Sequence, residues 1–180
     1  FYGITHGITL RNAFDRAAQF KTADHPERAL ELAHDLVAAK GINQRTMLRR
    51  NGSAPNQVLD DMNECVERTQ QATAPDQLLG VEGQLAALYF QHLSTMLRPR
   101  DFDADWDFNK RNRRPPRDPV NAMLSFGYAL LSKEFTVALL ADGLDPWWGF
   151  YHRPRHGRPA LALDLMEPFR PLIVDSAVLT

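Results

Sequence analysis

Ala74-Pro-Asp-Gln-Leu78-Leu-Gly-Val-Glu82-Gly-Gln-Leu85-Ala-Ala-Leu-Tyr89-Phe-Gln-His-Leu93-Ser-Thr-Met96-Leu-Arg98 decides the fold, because its apolar residues recur at helical spacing. Leu78, Leu85, Tyr89, Leu93 and Met96 share one face. Glu82 falls on that same stripe, four residues after Leu78 and three before Leu85. A lone carboxylate buried there would lose hydration worth on the order of several kcal/mol. It therefore needs an Arg or Lys partner, a divalent metal, or a proton. Gly80 and Gly83 flank it and would let other backbone come close.

Turn signals on either side divide the chain into further helices. A short helix is expected near Leu10–Lys21. Asp24-His-Pro-Glu27 resembles a capping box, with Pro26 in the first turn. The helix it opens carries Leu30, Ala33, Leu36 and Val37 on one face and ends before Asn51-Gly52. Another spans about Asn56–Thr73, with Leu59, Met62, Cys65 and Val66 as its apolar side. The Glu82 helix stops at Arg98-Pro99, and a polar surface loop runs on to Pro116. Asp118 then caps a helix with Pro119 in its first turn and Gly143 beyond its end. That helix is apolar nearly all round, which predicts a central position. Its polar line, Asn121, Ser125, Tyr128 and Ser132, needs partners on neighbouring helices or at a reaction site. In Leu161–Thr180, Pro168 and Pro171 predict a helix starting only near Asp164 or later. The fold class is all-α.

The 180 residues suffice for one domain with a sizeable core. Hydrophobic residues at 44 % and charged residues at 24 % are ordinary globular values. A single cysteine, Cys65, excludes an internal disulfide and fits a reducing cytoplasm. No apolar stretch approaches the roughly twenty residues that cross a bilayer, so no membrane partner is expected. The net charge of −1 does not announce a nucleic-acid binder, but its distribution is uneven. Lys110, Arg111, Arg113, Arg114 and Arg117 cluster, as do Arg153, Arg155 and Arg158, with Arg45, Arg49 and Arg50 as a third group. Such groups beside acidic ligands can hold a phosphate backbone, or be plain solvated surface.

Gly149-Phe-Tyr-His152-Arg-Pro-Arg-His-Gly-Arg-Pro-Ala-Leu-Ala-Leu-Asp164-Leu-Met-Glu167 adds a histidine, a basic loop and two acids. Asp164 and Glu167, three apart, leave one face of a helix and need a compensating cation if both ionise. One imidazole with two or three carboxylates suits Mg²⁺ or Mn²⁺. The plainer alternative makes Asp164 a helix N-cap and Glu167 a first-turn dipole partner.

Four motifs now line up in order. Gly-Val-Glu82-Gly-Gln, Arg113-Arg-Pro-Pro-Arg-Asp-Pro-Val-Asn-Ala-Met-Leu-Ser-Phe-Gly-Tyr128, Gly149-Phe-Tyr-His152 and Leu161-Ala-Leu-Asp-Leu-Met-Glu-Pro-Phe-Arg-Pro171 resemble the CRISPR-associated adaptation endonuclease and integrase (Cas one). Asn43-Gln-Arg-Thr-Met-Leu-Arg-Arg50 matches as well. The resemblance implies a helical catalytic domain at 8–180 that lacks its last C-terminal helices. Phe1–Gly7 would then be the remnant of an N-terminal β domain. It implies Glu82, His152 and Glu167 as ligands of Mg²⁺ or Mn²⁺, with Asp164 as a nearby catalytic acid. Arg111, Arg113, Arg114, Arg117, Arg153, Arg155 and Arg158 are the expected DNA contacts. The implied reaction is attack by a 3′-hydroxyl of captured spacer DNA on a phosphodiester at a CRISPR repeat, a part of antiviral defence. The implied partners are DNA, a second copy of the full-length protein and the Cas two protein.

Two rivals stand beside this. Glu31-Leu-Ala-His34 has the spacing of a di-iron carboxylate bundle, but the second such pair is missing. A catalytically inert structural protomer that scaffolds DNA would share every motif. Fusion to a reverse transcriptase or a Cas four nuclease is also known in the family.

Overall fold

The computed structural model describes residues 13–97 and 108–179. Seven α-helices occur among them: α1 (Ala13–Ala23), α2 (Pro26–Asn51), α3 (Asn56–Thr69), α4 (Pro75–His92), α5 (Pro119–Ala141), α6 (Ala160–Met166) and α7 (Ser176–Leu179). A 3-10 turn, Leu93–Met96, extends α4, and a π-helical turn, Arg170–Asp175, joins α6 to α7. No strand forms among the described residues; Arg155 and Arg158 make only an isolated antiparallel bridge. The expected β remnant Phe1–Gly7 and the stop at Arg98-Pro99 lie outside the described residues.

The all-α expectation holds, with revised boundaries and centre. Leu78, Leu85, Tyr89, Leu93 and Met96 are all buried, and Glu82 is buried among them at 9 % exposure. The capping box at Asp24 does not form: His25 occupies the N-cap position without a side-chain cap, and Pro26 starts α2. Asp118 does cap α5, accepting the backbone N–H of Asn121. Helix α6 begins at Ala160, directly after Pro159, rather than near Asp164. Proline at that boundary opens a helix as readily as it closes one. Asp164 is thus well inside the helix and is no N-cap.

The long central element is α2, which packs against α1, α3, α4, α6 and the π turn. Ala33, Val37 and Leu48 from α2 meet Leu59, Met62 and Cys65 of α3 and the buried stripe of α4. Helix α5 lies instead on α6 and the π turn, leaving Phe126, Leu130 and Val137 exposed. Its 23 residues include a window of mean hydropathy 1.3, long and apolar enough by composition to cross a membrane. This differs from the expectation that no apolar stretch approaches that length, because scattered polar residues interrupt the apolar sequence while lowering its mean only in part. Leu139, Leu161 and Ala162 form a second, smaller core where α5 meets α6.

Candidate active site

Lys40 is a buried charge on the inner face of α2, one turn from both Val37 and Gln44. Its Nζ lies 2.6 Å from Glu82 Oε1 and 2.7 Å from Glu167 Oε2. Burial works against the ammonium, but Glu167 and then Glu82 outweigh it and hold the Lys40 pKa above the ordinary lysine value. Burial likewise opposes the Glu82 carboxylate, yet the attraction of Lys40 wins and the Glu82 pKa is lowered. Both directions describe one buried ion pair. Removing a single partner of such a pair typically costs about 3–5 kcal/mol, because the survivor is left uncompensated. Gly80 and Gly83 admit no approaching backbone; nothing lies within 4 Å of where their Cβ atoms would be.

The segment before α6 is shaped around Asp164. A Cβ on Gly149 would fall 2.6 Å from Asp164 Oδ2 and 2.9 Å from the Ala160 carbonyl carbon, so only glycine lets this backbone lie on α6. Oδ2 then accepts the backbone N–H groups of Phe150 (2.7 Å) and Tyr151 (3.0 Å). Oδ1 accepts the backbone N–H of His152 at 2.9 Å and its ring Nδ1–H at 2.6 Å. In a neutral ring this buried carboxylate favours the proton on Nδ1 and leaves the lone pair on Nε2, the arrangement typical of metal-ligating imidazoles. Tyr151 donates its hydroxyl to Glu82 Oε2 at 2.8 Å. Burial and then the Glu82 charge raise the Tyr151 pKa, so the phenol remains a donor. From α1, Gln19 donates to the carbonyls of Asp145 and Trp148, both at 2.8 Å, and steadies the approach to Gly149.

Glu167 is held from the other side. Arg170 Nη2 lies 3.1 Å from its Oε1, and Asn43 of α2 donates to the neighbouring Pro168 carbonyl at 2.8 Å. Glu167 Oε2 accepts no well-aligned hydrogen bond, so its contact with Lys40 is ionic rather than directional. The guanidinium of Arg170 stacks 4.8 Å from the centre of the Tyr128 ring. Tyr128 and Tyr89 both donate their hydroxyls to Asp175 at the end of the π turn. Burial lifts the Asp175 pKa to about 6 against the opposing pull of those two hydrogen bonds.

The expected acids and histidine thus come from three separate segments into one linked group. Glu82 and Glu167 meet through Lys40, and Tyr151 ties Glu82 to the segment of His152. No three His, Cys, Asp or Glu side chains among the described residues stand close enough to form a metal cage as they are. The residues still fit a divalent cation on three counts: an ammonium stands between two carboxylates, Glu167 Oε2 lacks an aligned donor, and the His152 tautomer is set. Asp164 faces the His152 segment instead of that cation position. The sequence assigns no role to Lys40, nor to Tyr151 within its motif. Lys40 carried the same signal as Glu82, a charge on a stripe with Ala33, Val37 and Leu48, whereas Tyr151 gave none.

The basic residues divide. Arg111 is turned inward, donating to Asn112 O and Asn121 Oδ1 (both 2.6 Å) and Ser125 Oγ (3.0 Å). It thereby satisfies Asn121 and Ser125 of the polar line of α5 and fastens the preceding loop. Arg113, Arg114, Arg117, Arg153 and Arg155 are exposed, and Arg158 is half-buried. Arg153 approaches Asp76 at 3.8 Å, a surface contact of little energetic weight. The Glu31–His34 pair makes no site, since His34 Nε2 is engaged with the Ala72 carbonyl at 2.9 Å.

The model of the family described as CRISPR associated protein Cas1 matches residues 1–180. A CRISPR-associated exonuclease Cas4/endonuclease Cas1 fusion of Geobacter sulfurreducens is 51 % identical over 187 residues, spanning 99 % of this chain and 34 % of its own length. A partial Cas6-RT-Cas1–Cas2 complex contains a chain 30 % identical with a TM-score of 0.84, covering 98 % of this chain and 52 % of its own. A casposase bound to integration product is 29 % identical with a TM-score of 0.79, covering 94 % of this chain and 47 % of its own. The chain therefore spans from about a third to about half of these proteins. With the match running over its whole length and the helices in the same arrangement, this chain belongs to the Cas1 family.

Proposed function

We propose that this chain is the catalytic domain of a metal-dependent DNA endonuclease and integrase that inserts captured spacer DNA into a CRISPR array. One observation carries the reading: Glu82, Glu167 and the His152 segment, remote in sequence, are linked through Lys40 and Tyr151, with the ring oriented by Asp164. Glu82, His152 and Glu167 hold Mg²⁺ or Mn²⁺, which when bound offsets the negative charge that builds on the attacked phosphate. Asp164 keeps the imidazole proton on Nδ1, and Tyr151 and Arg170 orient the two glutamates. In strand transfer a 3′-oxygen forms a new bond to phosphorus as the old ester bond breaks. The proton lost by the attacking hydroxyl is balanced by one gained on the departing oxygen. With water as the attacking group, the same site cuts DNA.

Exposed Arg113, Arg114, Arg117, Arg153 and Arg155, with Arg158, bind flanking phosphates, and Arg111 holds their loop in place. The named relatives support a nucleic-acid role: one is bound to integration product and another is in complex with Cas2. The full-length protein would act in the cytoplasm as a homodimer with Cas2. A single-turnover joining assay with Mn²⁺ tests the reading. Glu82→Ala and His152→Ala should each abolish joining while far-UV circular dichroism stays helical. Joining retained by either variant would remove that residue from the ligand set, and inactivity of the unaltered chain would favour a scaffold protomer.

A further inference from the structure

The Lys40 ammonium stands between two of the proposed ligands, and its side chain is only 9 % exposed. The carboxylates divide their oxygens in a regular way. Glu82 presents Oε1 to Lys40 while Oε2 is held by Tyr151. Glu167 presents Oε2 to Lys40 while Oε1 is held by Arg170. If the ammonium withdrew, each carboxylate would keep an anchored oxygen and offer the other to the vacated position. The pair would remain aimed.

A divalent ion with oxygen ligands at about 2.0–2.2 Å needs those same two oxygens. Two cations within a few ångströms in so buried a place repel strongly, so they compete for it. Lysine suits exchange, having a compact charge on a flexible stem. Its contact with Glu167 Oε2 lacks hydrogen-bond alignment, so the one directional bond its departure breaks to these acids is that to Glu82 Oε1 at 2.6 Å.

We propose that Lys40 is an exchangeable counter-ion: its ammonium fills the cation position between Glu82 and Glu167 and is displaced when a divalent ion enters. The inference rests on the proposed assignment of these two residues as ligands. Lys40 is on this account a positioning residue that keeps the acids paired and apart from water, and it sets how tightly the metal is held.

Titration of the 180-residue chain with MnCl₂, followed by calorimetry and by the electron paramagnetic resonance of free Mn²⁺, tests it. Lys40→Met should bind Mn²⁺ at least tenfold more tightly than the unaltered chain. Its melting temperature should be lower without Mn²⁺ and rise further when Mn²⁺ is added. Lys40→Arg retains the charge and should bind no more tightly than the unaltered chain. Equal or weaker Mn²⁺ binding by a folded Lys40→Met overturns the exchange. Should Lys40→Met fail to fold, ¹³C-labelled lysine in the unaltered chain decides: the Lys40 Cε resonance must shift on saturation with Mg²⁺, and an unmoved resonance overturns the proposal. Mn²⁺ binding that is lost in Glu82→Gln but unchanged in Lys40→Met sinks the exchange alone. No Mn²⁺ binding by any of these proteins sinks the ligand assignment with it.

Discussion

Asp164 receives both the backbone N–H and the ring Nδ1–H of His152 on one carboxylate oxygen, at 2.9 and 2.6 Å. A carboxylate can accept at every position this geometry requires; a carboxamide cannot, because one of its two atoms donates. Asp164→Asn should therefore strand a backbone N–H or turn the ring proton to Nε2. We expect joining activity to fall by about two orders of magnitude or more, with a stability loss of about 2–3 kcal/mol by urea unfolding. Nitrogen-15 chemical shifts of His152 report the tautomer directly. An unchanged Nδ1–H form in the variant would show that Asp164 does not set it.

Tyr151→Phe removes the donor to Glu82 Oε2 and leaves the Lys40 contact on Oε1. Loss of a hydrogen bond to a charged group costs about 1.5–3 kcal/mol. Urea unfolding should show a loss in that range, with the helical spectrum retained. Mn²⁺ affinity should weaken as Glu82 loses its second restraint. Undiminished stability and affinity would mean that the phenol merely neighbours the carboxylate.

Asp175 predicts a pH dependence with a definite sign. Its folded pKa is raised from 3.8 to about 6, so the folded state binds the proton more tightly than the unfolded chain. The resulting stabilisation is full below the unfolded pKa and is lost as pH rises through about 6. Asp175→Asn stays neutral, so between pH 4 and pH 7 its stability relative to the unaltered chain should improve by about 2–3 kcal/mol. The lowered Glu82 pKa acts in the opposite sense, but equally in both proteins, and cancels in the difference. A difference that moves the other way would mean that Asp175 is better stabilised as an anion than its burial implies.

The basic loop separates by function. Replacing Arg113, Arg114 and Arg117 together with alanine should reduce the slope of log affinity against log salt by about 2–3 for duplex DNA, at about 0.9 per phosphate contact. Folding should be unaffected. Arg111→Ala should instead lower stability by about 1–2 kcal/mol, discounted for its partial exposure, by freeing Asn121 and Ser125. An unchanged salt slope in the triple variant would return those three residues to ordinary surface.

Much of this was legible in the sequence because periodicity is a local property. The buried stripe of α4, the Asp118 cap and the all-helical class depend on residues within a few turns of one another. Lys40 illustrates the limit. Its position on an apolar stripe was visible, but the acids it meets are distant in the chain, and spacing carries no information about that encounter. The inward turn of Arg111 is of the same kind, since its partners on α5 were seen as a polar line without a donor. The centre of the fold shifted from α5 to α2 because apolar content measures what a helix can bury. It does not say which neighbour arrives to cover it.

Glu167 belongs to the C-terminal end of α6, and His152 is gripped by Asp164 from the middle of the same helix. Glu82 belongs to α4, on the far side of Lys40. The proposed site is thus built like a clasp, with two jaws mounted on different parts of the scaffold. A slight slide of seven-residue α6 would carry two jaw contacts together and leave the third in register with its own helix. Distant changes that reach α6 through Gln19 and the loop it pins, or through the π turn, could open or tighten the clasp without touching any residue that grips.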